Sequence, residues 1–380
     1  MNLWFMMFVG LLSLLIESYL KYCSLMGYDE RREVTSEQEH GFCLQKFDNQ
    51  TGRRWPPIMQ SIDSSMLNEN GMAIVLASKQ YALVDTHRNQ YDSIQMSLAQ
   101  SINGNNLLAR NSVFMLDLNQ LENLYPLPLS IVMRKDNRTL VPNDYFNFFG
   151  ISIYQDRLTG HFNLLFANLV TDMARLKFTC LGQVKQKYTI EKFVYDNEKH
   201  RLIYLNSFRE GLNFGQLCDL VAVNDHLFYF TKCFSNDLFN MLKFRLRMNS
   251  GEIWVYDLHR MLVYPVANRL FMPKSIEYLK ARQLILVTNL ACDGLTLFKR
   301  NYDNSLSRLN DISLSKFVFN INIDIEMNVW LTVHTRLHKT FSLIDDLSHL
   351  ASSRVETELI KMRLEFEERE GGEFRPKLLD

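Results

Sequence analysis

Few groups of residues in this chain have the type and spacing to do chemistry unaided. His334 and His338 are four apart, the spacing at which two imidazoles on one helix face hold a metal ion. The text around them reads as a strand that runs out into a loop, so they do not share a face. The six cysteines (Cys23, Cys43, Cys180, Cys218, Cys233 and Cys292) show no zinc-site spacing. In an oxidising compartment some of them would pair, in a connectivity that spacing does not reveal. The chain has no Gly-x-Ser-x-Gly elbow, His-Glu-x-x-His helix, phosphate loop or dinucleotide fingerprint. Two triplets, Asn49-Gln50-Thr51 and Asn137-Arg138-Thr139, are acceptors for N-glycosylation, which makes Asn49 and Asn137 candidate modification sites.

Composition narrows the classes. Lysine plus arginine equals aspartate plus glutamate at 42 each, so no basic surface argues for a nucleic-acid partner. The apolar run at residues 3–16 is short for a full span and suits a signal-peptide core or a retained anchor. No Ala-x-Ala cleavage site follows it, and residues 17–22 can extend a helix with an aromatic interface. A buried N-terminal helix is the third reading. No Lys or Arg precedes the run, so the charge signal for orientation is weak. The expected organisation is a membrane anchor at 1–26, a polar stalk at 27–57, a folded domain at 58–363 and a charged tail at 364–380.

The folded part reads as short apolar runs broken by turn residues. The runs recur in order. First strands are expected at 71–76, 150–154, 219–223, 275–278 and 320–324, and second strands at 81–85, 161–167, 226–231, 283–288 and 329–333. Third strands are expected at 113–118, 190–196, 252–257, 295–299 and 341–345, and fourth strands at 127–133, 202–208, 261–266, 306–314 and 357–362. Asp196, Asp257 and Asp345 end their third strands alike. Four antiparallel strands repeated at intervals of roughly 40–70 residues are the signature of propeller blades. Five copies are visible, so either the ring has five blades or a sixth is incomplete. Residues 234–247 form an amphipathic pattern with a basic end, a surface helix that caps the domain or faces a membrane or partner. In a propeller the first strands converge on the axis, which makes the heads of those strands the place to look for a site.

From Cys43 to about Leu364 the sequence resembles the paraoxonases, a family of calcium-dependent lactonases and arylesterases. The resemblance is carried by NFFGISIY with LLFANL at 147–169, by IEKFVYDNEKHRLIYLNSF at 190–208, by CDLVAVNDHLFYFT at 218–231, and by FNINID with VWLTVHT at 319–335. It implies an all-β, six-bladed β-propeller whose last blade is short, preceded by an uncleaved N-terminal hydrophobic helix. It also implies where a site would lie. The family's two catalytic histidines fall on Phe149 and Leu169. Its catalytic calcium ligands fall on Asp63, Cys218, Lys274, Phe319 and Asn320, and its structural calcium on Asp219 and Ser64. His334 matches a histidine near the tunnel mouth. Calcium asks for six to eight hard oxygen ligands, and Phe, Cys and Lys supply none. Lys274, beside Asp63 and Asn320, is expected to stand in for the metal, with Cys218 as a small buried apolar neighbour. The family also ties an early cysteine, here Cys43, to a late one, and no cysteine follows Cys292.

The sequence resembles non-catalytic nematode members that act in the endoplasmic reticulum and at the cell surface on degenerin-type sodium channels. The resemblance implies a membrane-anchored chaperone or accessory protein for folding, assembly or trafficking of ion channels. The propeller would be lumenal or extracellular, with no cofactor. The rival reading is a calcium-dependent arylesterase or lactonase using a reduced site around Asp63, Asn320 and His334. A lipid- or lipoprotein-associated protein is a third.

Overall fold

The computed structural model describes residues 59–66, 72–79, 110–117, 127–133, 139–140, 148–156, 158–170, 187–208, 217–232, 251–289, 294–314, 316–324, 326–334 and 357–364. The expected N-terminal helix and stalk, Asn49 and Asn137, the expected strands 81–85 and 341–345, the amphipathic stretch 234–247, and nearly all of the tail lie outside these residues. The described chain is all-β, with twenty-one strands and a single 3-10 turn at Lys280–Arg282. No helix among the described residues is long and apolar enough to cross a membrane.

Four antiparallel four-stranded meanders follow one another. The first is β1 (Met59–Met66), β2 (Met72–Lys79), β3 (Arg110–Asp117) and β4 (Leu127–Pro128). The short strands β5 (Ser130–Met133) and β6 (Thr139–Leu140) come next, and then β7 (Phe148–Gln155), β8 (Phe162–Val170), β9 (Lys187–Asp196) and β10 (Arg201–Phe208). The third meander is β11 (Leu217–Asn224), β12 (Leu227–Lys232), β13 (Gly251–Asp257) and β14 (Leu262–Leu270). The fourth is β15 (Pro273–Leu279), β16 (Leu284–Asn289), β17 (Gly294–Arg300) and β18 (Leu306–Ser313). A fifth sheet has three strands, β19 (Phe317–Ile323), β20 (Asn328–His334) and β21 (Thr357–Arg363). First strands pack on first strands: β1 on β7, β7 on β11, β11 on β15 and β15 on β19. That is a propeller-like arrangement.

Four sequence expectations are corrected. Six blades are not present among the described residues, which form four complete four-stranded blades and a three-stranded sheet. In the first blade the run at 71–76 is the second strand, because β1 precedes it. Its text, MQSIDSSM, is too polar to stand out as a strand. The expected fourth strand at 357–362 pairs directly with β20 and so takes third place in its sheet. The run 127–133 also divides. At Leu129, whose N–H donates to the Val113 carbonyl at 2.9 Å, the chain leaves the first sheet, and β5 then pairs in parallel with β10 on the outer edge of the second.

The local reasons for these elements are visible in the sequence. β16 (LILVTN) is buried at every position, as a strand covered on both faces should be. Two of the three shared terminal aspartates close turns, and Asp345 lies outside the described residues. Asp257 Oδ1 accepts from the backbone N–H groups of His259 and Arg260, and Asp196 accepts from Arg201 Nε at 2.9 Å. The core between the first and second blades is aromatic. Phe148 stacks on Phe166 with centroids 4.5 Å apart, and Phe193 meets both edge-on. Phe166 is fully buried, so Phe166→Ala should cost about 3–5 kcal/mol in urea-induced unfolding. A cost below about 1 kcal/mol would mean that this cluster does not hold the two blades together.

Candidate axial site

Every first strand carries an irregularity near its head. The register slips between Ser61 and Asp63 in β1, between Phe148 and Gly150 in β7, and between Leu217 and Asp219 in β11. It slips again between Pro273 and Ile276 in β15 and between Val318 and Asn320 in β19. A bulge bends a strand and re-aims the extra residue. The residues at these slips are Ile62, Phe149, Cys218, Lys274 with Ser275, and Phe319. Four of the residues singled out from sequence therefore stand at equivalent backbone positions in neighbouring strands. Asp63 does not. It is the residue after its bulge, in register with Gly150, Asp219 and Asn320.

The row just after the bulges is joined by hydrogen bonds. The carboxylate of Asp219 is buried and accepts from its neighbour Leu220 N at 2.8 Å, from Ile276 N at 3.1 Å and from Ser275 Oγ at 2.6 Å. Ser275 Oγ also lies 2.6 Å from Asn320 Oδ1, which accepts from Ile321 N. A hydroxyl has one proton, and two acceptors face this one. The second proton is supplied if Asp219 carries it. Burial pushes the Asp219 carboxyl above the usual range, against the hydrogen bonds and the Lys274 charge that favour the ionised form. Gly150 is needed here for space, because a Cβ on it would stand 3.1 Å from Asp219 Oδ1. Thr231 Oγ1 donates to the Lys274 carbonyl at 3.0 Å, and Ser152 Oγ accepts from Ala222 N at 2.9 Å. Strands β7, β11, β15 and β19 thus meet through polar side chains of short reach.

The row at the bulges is apolar, cationic or covalently committed. Phe149 is half-buried and meets Tyr188 edge-on at 5.8 Å. Phe319 lies edge-on to His334 at 5.1 Å, and Lys274 Nζ sits 5.5 Å from the centre of the Phe319 ring. Cys218 is disulfide-bonded, which corrects the expectation of a small apolar thiol. The other five cysteines lie outside the described residues. Leu169 is half-buried and pairs in register with Tyr188. These residues do not fit a calcium ion: Phe149, Leu169 and Phe319 offer no ligand atom, Lys274 repels a cation, and the Cys218 sulfur is spoken for. Among the described residues no group of three or more His, Cys, Asp or Glu side chains is placed to hold a metal ion.

Ser275 and Gly150 were not singled out in the sequence, although the residue after each bulge is where strand heads meet. A second buried polar group also escaped. Glu191 has no solvent exposure, and its Oε1 accepts from Thr189 Oγ1 at 2.7 Å and Asn168 Nδ2 at 3.2 Å, while Tyr204 OH reaches Oε2 at 3.3 Å. Period-two alternation along β9 places it in line with Phe193 and Tyr195, and that was the available signal. Asp225 joins the second and third blades. Burial raises its carboxyl, but hydrogen bonds from Lys192 Nζ at 2.6 Å and Tyr154 OH at 2.7 Å outweigh this and hold it below the usual range.

The sequence model of the arylesterase family, described as Arylesterase, matches residues 101–357. No curated protein matches the chain. Similar solved structures include one from a nidogen/laminin complex, 11% identical with a TM-score of 0.40, covering 73% of each chain. A putative 6-phosphogluconolactonase from Bacteroides uniformis is 11% identical with a TM-score of 0.34, over 70% of this chain and 66% of that one. RS223-Beta-xylosidase is 9% identical with a TM-score of 0.43, over 85% of this chain and 96% of that one. Likeness at these scores carries no argument about function.

The Asp219 carboxyl supplies a test of the axial cluster. Its folded-state pKa is raised, so the wild type loses stability as pH rises above the unfolded value near 3.8 and the unfolded chain ionises. Asp219→Asn removes that loss. The stability difference between variant and parent, from urea unfolding at pH 4 and pH 7, should shift in favour of the variant at the higher pH. A difference independent of pH would show that Asp219 titrates as an ordinary carboxylate.

Proposed function

The chain belongs to the arylesterase family, and we propose that it is a member without the hydrolase chemistry, acting as a membrane-anchored accessory protein for folding, assembly or trafficking of ion channels. Degenerin-type sodium channel subunits are the proposed clients. The observation that carries this reading is the row of bulged residues at the propeller axis. Phe149, Cys218, Lys274 and Phe319 hold the positions at which a calcium-dependent esterase would present histidine and oxygen ligands, and none can do either task. Lys274 supplies the positive charge there. Its ammonium lies against the face of Phe319 and lowers the cost of the nearby buried carboxylate.

The remainder follows from the same reading. A disulfide at Cys218 suits an oxidising compartment, which supports a lumenal or extracellular propeller on the endoplasmic reticulum or plasma membrane. The apolar run at 3–16 would be the tether, and Asn49 and Asn137 would carry glycans. Blades locked together by buried polar contacts make a rigid body, and a rigid body can hold another protein's ectodomain at low entropic cost.

Two measurements test the proposal. Co-expression with a degenerin-type channel should raise its surface level and current, and chain lacking residues 1–26 should not. The purified folded domain should hydrolyse neither phenyl acetate nor lactones, and calcium should leave its melting temperature unchanged. A calcium-induced rise in Tm, with turnover abolished by Asn320→Ala, would overturn the reading in favour of the esterase.

A further inference from the structure

In an up-and-down meander the first and third turns lie at the same edge of the sheet. In the third blade this brings together two turns far apart in sequence. His226 lies in the β11–β12 turn and His259 in the β13–β14 turn, and their ring centroids are 4.1 Å apart, inclined at 42°. The backbone beneath them is fixed. Leu258 N donates to the His226 carbonyl at 2.8 Å, which ties one turn directly to the other. Asn224 Oδ1 accepts from His226 N at 2.8 Å, and Asp257 Oδ1 accepts from His259 N at 3.0 Å. Both histidines are exposed, and neither imidazole makes a hydrogen bond among the described residues. The neighbouring carboxylates have other work: Asp225 holds Lys192 and Tyr154, and Asp257 holds the turn and Arg260.

We propose that His226 and His259 form a two-imidazole site for a transition-metal ion of the zinc, nickel and copper class, on the hairpin edge of the third blade and away from the axis. Imidazole is a borderline ligand that suits these ions and not calcium or magnesium. Two metal–nitrogen bonds of about 2 Å in tetrahedral geometry put ring centroids roughly 5 Å apart, so the rings need to part by only about 1 Å. Exposed χ rotations supply that. Water, or a donor from a bound protein, completes the coordination. The turn-to-turn hydrogen bond organises the pair before the ion arrives, which reduces what binding must order.

Titration calorimetry of the folded protein with Ni2+ and with Zn2+ tests this directly. The wild type should bind one ion in the micromolar range. His226→Gln and His259→Gln should each weaken binding at least tenfold, and the double variant should lose no more than either single one, because a chelate fails when one arm is removed. His161→Gln, in the neighbouring blade, should leave binding unchanged. Both target histidines are exposed, so all variants should keep the parental circular dichroism spectrum. The proposal is overturned if the double variant binds as the wild type does, or if the wild type binds no ion more tightly than millimolar.

Discussion

A carboxylate shut away from water has to be answered on every side, and the centre of this propeller is arranged around that demand. Asp219 is met by its own strand through Leu220 N, and by β15 through Ser275 and Ile276 N. Gly150 on β7 leaves it room, and Asn320 on β19 is reached through the same serine. Left without partners, this buried carboxyl would cost about 1–3 kcal/mol even when protonated, which opposes independent shifts of these first strands. The inner strands are fixed to one another by side-chain hydrogen bonds with little tolerance in length.

The bulges give the inner strands two kinds of position. One row, Phe149, Cys218, Lys274 and Phe319, is re-aimed and can be changed without breaking the strand-to-strand bonds. In the next row Asp219, Ser275 and Asn320 form those bonds, and Gly150 leaves them room. Chemistry and cohesion are therefore separable at this axis. A lineage could replace ligands in the first row with phenylalanine and lysine while the second row kept the blades assembled.

Much of the fold was legible in the sequence because alternation and turn residues mark strands locally. Nineteen of the twenty-one described strands, all but β1 and β6, fall on runs read from text alone. What failed was place and partner. β1 is polar, so its blade was counted from the wrong strand, and nothing in the run 127–133 announces that Leu129 changes sheets. The candidate site was legible where a bulge coincides with a matched motif, as at Phe149 and Cys218. It was one residue out at Asp63, where the bulge falls on Ile62. Ser275 and the His226–His259 pair were not legible, since each depends on the register of strands distant in sequence.

The crossing at Leu129 affects the order of assembly. β4 belongs to the first blade, while β5, immediately after it, lies between the short strand β6 and β10, the last strand of the second blade. The outer edge of the second blade therefore stays open until that blade has completed its meander. Closing it requires the return of a segment synthesised long before. Contacts of such long range form late, and an open edge is where another chain can add a strand. During biogenesis this seam is the part of the propeller that most needs protection.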